Sequence, residues 1–239
     1  MRVAVFGANG PTGRLLTRDI LDAGHATIAI TRHPANYPIT APQLAIVRAD
    51  ATSESAVKHA VEGVDAVVST LGTSFSRRPI SLYSQSAVAI IEAMTEIGAR
   101  RLVVTSSGAV DAWIDPEWNW IERTIARRVL AVMGRTLYED MGRMESIVKA
   151  SDLDWTIMRP LGLANIDPPT TYAIAEGHIR GRQTARRDLA AAIADQLART
   201  DYHKKVVAVA TTNKNQSIPA TIWREAIKPR LPNVDRRGQ

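Results

Sequence analysis

The sequence predicts an α/β chain with a doubly wound parallel sheet and a small C-terminal lobe. Three observations carry that prediction. Short apolar runs alternate with stretches of helical periodicity along most of the chain. The glycine-rich turn Gly7-Ala8-Asn9-Gly10-Pro11-Thr12-Gly13 follows the first apolar run and precedes the first helical stretch. A length of 239 residues suits one such domain without requiring a second. The expectation is a single domain over 1–239, with 160–187 and 211–239 supplying the lobe.

The elements follow in order. Arg2–Phe6 reads as a buried parallel strand, short, apolar and ended by Gly7. Pro11–Ala23 reads as a helix, with proline in the first turn, where a missing N–H costs little, and Gly24 just past its end. Strands are expected at Ala26–Thr31, Leu44–Val47 and Val64–Ser69, with the proline-rich stretch His33–Pro42 as a loop. Thr52 or Ser53 caps a short helix ending near Val61. Ser81–Ile97 is an amphipathic helix stopped by Gly98, and Arg101–Thr105 a fifth strand. Trp113–Arg135 reads as a loop and then a helix. Leu137–Ala150 is a helix and Asp154–Met158 a sixth strand. Residues 160–187 are loop-rich, with a short strand at Tyr172–Ile174. Asp188–Arg199 reads as a helix, Lys205–Ala210 as a strand and Pro219–Ile227 as a last helix; Pro232–Gln239 reads as a frayed end.

Composition narrows the function classes. The apolar fraction of 45% and charged fraction of 23% are those of an ordinary globular chain. No run approaches the ~20 apolar residues of a membrane span, and a strand starting at the second residue leaves no room for a signal peptide. The absence of cysteine excludes disulfide and thiolate chemistry and fits a cytoplasmic location. The net charge of +6 is spread along the chain rather than gathered on one face. That argues for an anionic small ligand and against nucleic acid. The expected partners are a small-molecule substrate, with no nucleic acid and no membrane, in a monomer or homodimer.

The glycine turn specifies the ligand. Between a strand and a helix, it aims backbone N–H groups and the helix dipole at a pyrophosphate. Its glycines permit the tight turn and the close phosphate approach. A dinucleotide site is therefore expected at Gly7, Asn9, Gly10, Pro11, Thr12 and Gly13. Sites that prefer NAD place a carboxylate at the end of the second strand. This chain has Thr31-Arg32-His33 there. Arg32, beside His33, can meet a 2′-phosphate, with Arg14 as a helper, so NADP(H) is expected in preference to NAD(H). Asp50 can accept a bond from an adenine amino group. Ser69-Thr70-Leu71-Gly72 lies where the chain passes ribose and phosphates.

These residues resemble a known family. Gly7–Gly13, Thr31–Pro34, Asp50-Ala51, Thr70–Gly72, Thr105-Ser106-Ser107-Gly108 and Asp154–Pro160 come in the order and spacing of atypical short-chain dehydrogenases/reductases. The resemblance is to the NAD(P)H-binding branch with NmrA-like proteins and flavin/biliverdin-B reductases, and it covers roughly residues 1–200. Arg186-Arg187-Asp188-Leu189-Ala190 resembles that family's S-x-x-D-x-A element, with Thr184 or Ala185 near its serine. The resemblance implies a Rossmann-like domain that binds NADP(H), with Ala51, Leu71, Gly72, Ser106 and Pro160 joining the cofactor site. It places Ser107 at the family's active-site serine.

The proton-handling residues depart from the common pattern. Many short-chain dehydrogenases use Tyr-x-x-x-Lys, the lysine lowering the tyrosine pKa. Tyr138 is followed by Glu139-Asp140-Met141-Gly142, and Arg143 comes one residue late. Tyr83 has no such lysine either. The histidine that the flavin/biliverdin-B type carries after the sixth strand is replaced by Arg159-Pro160-Leu161-Gly162. Ser107 can hydrogen-bond a substrate carbonyl. Tyr138 is either a helper or a helix-packing residue. His178 is either a substrate contact or an exposed loop residue. Trp113, Trp118 and Trp120 are either an aromatic lid or a docking surface for a helix. Asp65 and Asp111 read as structural or solvent-facing. No His, Asp or Glu group has metal-ligand spacing.

The sequence thus favours an NADP(H)-dependent oxidoreductase that reduces a small carbonyl, quinone-like or flavin-like substrate. The alternative is a non-catalytic NADP(H)-sensing regulator of NmrA-like type. A sugar-nucleotide epimerase or dehydratase fits less well, for want of the dyad and of a larger C-terminal lobe.

Overall fold

The computed structural model describes residues 1–132, 134–166 and 170–212. The expected last helix at Pro219–Ile227, the frayed end and nearly all of the 211–239 part of the lobe lie outside the described residues.

The chain begins β1 (Arg2–Phe6), α1 (Pro11–Asp22), β2 (Ala26–Thr31), a 3-10 turn at Pro34–Asn36, β3 (Leu44–Arg48), α2 (Glu54–Ala60) and β4 (Ala66–Ser69). It continues with α3 (Leu82–Ile97), β5 (Arg101–Thr105), α4 (Trp120–Val132), α5 (Arg135–Ala150) and β6 (Asp154–Pro160). The last elements are β7 (Gly162–Ala164), β8 (Tyr172–Glu176), β9 (Gln183–Ala185), α6 (Arg186–Gln196) and β10 (Lys205–Thr211). The main sheet has eight strands in the order β3-β2-β1-β4-β5-β6-β10-β8. Every pairing from β3 to β10 is parallel. Only the edge strand β8 runs antiparallel, Val209 facing Ile174.

Sequence periodicity explains the layers. In α1, Thr12, Leu16 and Ile20 recur at four-residue spacing and form a buried stripe. Both faces of the sheet are apolar because both are covered. On one face Phe6, Ile28, Val67, Leu102 and Ile157 pack with α2, α3 and α5. On the other, Val3, Val5, Val68, Val103 and Val209 pack with α1 and α6. α1 and α6 are also tied by an ion pair between Asp19 and Arg187.

Two features depart from the sequence expectation. The 160–187 stretch contains the short parallel pair β7–β9, and β8 from the same stretch extends the main sheet through β10. Part of the expected lobe is therefore sheet edge. β6 also runs two residues beyond Met158 and carries Arg159 and Pro160 into the core.

The winding reverses at β1: β2 and β3 lie to one side, and β4 and β5 to the other. The crevice at the carboxyl ends of β1 and β4 is the switch point where open α/β sheets bind ligands.

Candidate functional site

The glycine turn sits at that crevice, and its glycines have steric causes. Gly7 adopts φ +75°, and a Cβ there would lie 2.7 Å from the Thr70 carbonyl oxygen, because β1 and β4 end side by side. A Cβ on Gly13 would lie 2.2 Å from the Gly7 carbonyl oxygen. The turn is closed by the Gly10 N–H, which donates to that same oxygen at 2.9 Å. Gly10 is extended at the N-cap of α1, and no side chain caps the helix, so its first N–H groups are left for a ligand. The turn leaves an open backbone cradle that side chains would fill.

A cavity of about 790 Å³ opens from the turn, within the range of small-molecule and cofactor sites. Its lining brings together Gly7, Asn9, Gly10, Pro11, Thr12, Arg32, His33, Asp50, Ala51, Leu71, Gly72, Ser106 and Pro160, with Ser107 and Tyr138 at its other end. Gly13 does not line it; its role is the close contact beneath the turn. Arg14 does not line it either, since its Nε and Nη2 donate to Asn9 Oδ1 at 3.1 and 2.8 Å. The expected helper instead positions Asn9.

The part of the cavity lined by Arg32 and Asp50 is polar and exposed. Arg32 is exposed, and no hydrogen bond or ion pair among the described residues occupies its guanidinium. The Asp50 carboxylate accepts the Thr52 N–H at 3.0 Å and the Thr52 hydroxyl at 2.8 Å. These bonds hold its pKa below the usual range, and nearby Arg32 adds to the effect.

At the opposite end the serines diverge. The Ser106 hydroxyl donates to Glu145 Oε1 at 2.7 Å and is committed to the protein. Ser107 Oγ accepts the Ala109 N–H at 3.2 Å, which fixes the oxygen and leaves its proton for a ligand. Tyr138 packs edge-on against Phe75, centroids 6.3 Å apart. Arg143 does not replace the missing lysine: its Nη2 donates to the Ile80 carbonyl at 2.8 Å and to Asp140 at 3.1 Å. The fully buried Asp140 in turn accepts the Tyr83 N–H at 2.8 Å and caps α3. The Tyr83 hydroxyl accepts the Thr73 N–H at 3.2 Å, and burial pushes its pKa up to about 12, far from general acid–base use near neutrality.

The tryptophan segment forms one wall. Trp113 and Trp118 line the cavity, whereas Trp120 is 76% exposed. Trp113 stacks on His178 with centroids 4.9 Å apart and planes 4° from parallel, so the histidine backs a cavity wall. The buried Asp115 accepts the Gly181 N–H at 2.9 Å, and Trp118 Nε1 donates to the Gly181 carbonyl at 3.3 Å.

Sequence reasoning missed the group that supports this end. Arg159 forks onto Glu145 through Nε at 2.8 Å and Nη2 at 2.7 Å, and pairs Asp111 through Nη1. Asp111, read from sequence as structural or solvent-facing, is exposed and pairs with Arg159. Burial works to raise the Glu145 pKa, but bonds from Arg159, Ser106 and Lys149 outweigh it and keep the carboxyl below its ordinary value. Of this group the sequence offered one visible signal, a charged residue inside the apolar run that ends at Pro160.

Residues 7–200 match the family model described as NAD(P)H-binding. The chain belongs to this NAD(P)H-binding family. An uncharacterised protein of Mycobacterium tuberculosis is 30% identical over 206 residues, which is 77% of this chain and 23% of that protein. The chain thus spans about a quarter of the length of that relative. A 2-alkyl-3-oxoalkanoate reductase of Stenotrophomonas maltophilia is 32% identical over 115 residues, 46% of this chain and 34% of the reductase. Among solved structures, a short-chain dehydrogenase/reductase from Veillonella parvula in complex with NADP superposes with a TM-score of 0.72 at 17% identity, covering 90% of this chain and 96% of that one. An oxidoreductase from Lactococcus lactis gives 0.73 at 15% identity, covering 94% and 96%. At those identities the two structures show the shared fold.

Among the described residues, no cluster of His, Cys, Asp and Glu is arranged to hold a metal ion, and no helix is long and apolar enough to cross a membrane.

Proposed function

We propose that this member of the NAD(P)H-binding family is an NADP(H)-dependent reductase of a small carbonyl, quinone-like or flavin-like compound. One observation carries the reading: a single cavity is lined by the glycine turn, by Ser107 and Tyr138, and by Trp113 and Trp118 of the tryptophan wall. The free guanidinium of Arg32 supports NADP(H) over NAD(H), because a 2′-phosphate is the charged group that would occupy it. The similarity to a protein named for reduction of a 3-oxoalkanoate supports a carbonyl substrate.

Gly10, Pro11 and Thr12 at the start of α1 would hold the diphosphate, and Arg32 the 2′-phosphate. A nicotinamide bound there would supply the hydride. Ser107 would donate its free proton as a hydrogen bond to the substrate carbonyl oxygen and orient the carbonyl carbon toward that hydride. Reduction adds a hydride to the carbon and a proton to the oxygen. With no lysine among the described residues lining the cavity, and with Arg143 engaged elsewhere, water is assigned the role of supplying the proton. Trp113 and Trp118 would pack against a flat substrate and exclude bulk solvent.

The missing dyad also supports the second reading, a non-catalytic NADP(H)-sensing regulator. Titration with NADPH and NADH, followed by the absorbance of reduced cofactor with a panel of quinones, flavins and aldehydes, separates the two. The reductase reading expects turnover with at least one class, and a slower reaction with similar NADPH affinity in Ser107→Ala. Tight NADPH binding without turnover on any class would favour the regulator.

A further inference from the structure

Seven large apolar side chains are exposed among the described residues, and four of them lie on α4: Trp120, Ile121, Ile125 and Val132. Isolated exposed apolar residues are ordinary, but concentration on one helix is not. At about 100° per residue, Ile121, Ile125 and Val132 fall within one narrow stripe. Arg128 lies in the same stripe, and Trp120 and Arg127 are exposed about a third of a turn to one side of it.

The exposed charges of α4 itself are of one sign. Arg127 and Arg128 are exposed, and no ion pair among the described residues engages either. The helix's carboxylate, Glu122, is turned inward: it is 21% exposed and bonds Arg182 at 2.6 Å. The exposed Arg77 borders Val132 in a shallow groove at the end of the helix. Glu139 also lines that groove but is paired with Arg135, and the exposed residues of α4 itself include no acid, so the helix is self-repelling toward a second copy. It is complementary to a surface with an apolar interior and anionic head groups. Arginine stems reach along the apolar stripe while their guanidiniums meet phosphates, and an exposed tryptophan suits the same boundary.

We propose that α4 is an interfacial anchor that lays the protein on an anionic lipid surface. Ile121, Ile125 and Val132 would enter the acyl boundary, and Arg127 and Arg128 would pair with lipid phosphates. The inner side of the same helix lines the cavity through Ala126, which places the site one helix away from the lipid. The sequence expectation of no membrane partner rested on spanning segments, which this mode of attachment does not require. The inference stands apart from the proposed chemistry, since it needs no turnover.

The test is flotation of the whole chain with vesicles of phosphatidylcholine alone, and with vesicles that also contain about 30% phosphatidylglycerol. Binding is expected only to the anionic vesicles and should fall as salt rises. It should drop more than about tenfold in Ile121→Ser/Ile125→Ser and in Arg127→Glu/Arg128→Glu. NADPH affinity and the circular dichroism spectrum serve as checks that these variants fold. Absence of binding to anionic vesicles, or binding unchanged in the folded double variants, would overturn the proposal. So would a wild-type dimer that the serine variant converts to monomer, since a second copy would then own this face.

Discussion

Arg159 and Glu145 form a bidentate pair inside the protein, with Nε to Oε1 at 2.8 Å and Nη2 to Oε2 at 2.7 Å. Glu145 is 2% exposed, and its Oε1 also receives the Ser106 hydroxyl. The pair joins α5 to the end of β6 and fixes the backbone from Ser106 into Ser107. Its value lies in placement. A buried pair adds little net stability, but losing one partner strands the other charge.

Glu145→Gln should therefore cost about 3 kcal/mol in chemical denaturation. The pH dependence follows from the depressed folded pKa of Glu145. Its contribution is fully present above the unfolded carboxyl value of roughly 4.3 and is lost as pH falls through the lower folded value. The wild type should thus lose more stability than Glu145→Gln on acidification below about pH 4. Parallel curves for the two proteins would refute this assignment.

Gly13→Ala tests the packing beneath the turn. Its Cβ would be placed 2.2 Å from a backbone oxygen that cannot move without opening the cradle. A stability loss of at least about 2 kcal/mol is expected, together with loss of measurable NADPH binding. Gly72→Ala is the control, because a Cβ there meets nothing within 4 Å. Its thermal stability should stay within about 0.5 kcal/mol of wild type.

The proposed preference for NADP(H) rests on a single side chain. Arg32→Ala removes the cation facing the expected 2′-phosphate and leaves the diphosphate cradle intact. NADPH affinity should fall about tenfold to a hundredfold, with little change for NADH. Calorimetric titration of both cofactors reads this directly. Equal losses for the two would point to damage to the turn rather than to phosphate recognition.

The sequence made the first half of the fold legible because its signals there are local. Gly7, Pro11 and Gly24 bracket β1 and α1, and the observed boundaries fall within a residue of those marks. The strands β7 and β9 were not legible. Each has three residues, too few for any periodicity, and each exists because the other lies beside it. The site divides in the same way. The dinucleotide end is a contiguous turn plus residues at strand ends, and a linear reading finds it. The support for the substrate end is a pairing across 14 residues. On α5, Glu145 reads as one more charged helix residue, and only the packing of α5 on β6 makes it buried. Asp115 escaped notice for the same reason, since its partner Gly181 lies 66 residues away.

That distant contact yields the last prediction. The Asp115 carboxylate receives the Gly181 N–H, and the Gly181 carbonyl receives the Trp118 indole N–H, so one peptide is held from both ends. The Arg180–Glu117 and Arg182–Glu122 pairs flank it, but both lie at the surface, where such pairs contribute little. Asp115 is therefore the principal tie between the tryptophan wall and the 178–182 segment. Asp115→Ala should leave the glycine turn and NADPH affinity near wild type, because among the described residues the Asp115 carboxylate accepts hydrogen bonds only from the Glu117 and Gly181 N–H groups, away from that turn. It should speed amide exchange selectively at 178–182 and raise KM for any reducible substrate more than it lowers kcat. Hydrogen exchange read by mass spectrometry separates the cases. Faster exchange throughout would mean global destabilisation, and unchanged exchange at 178–182 would mean that the flanking ion pairs hold the wall.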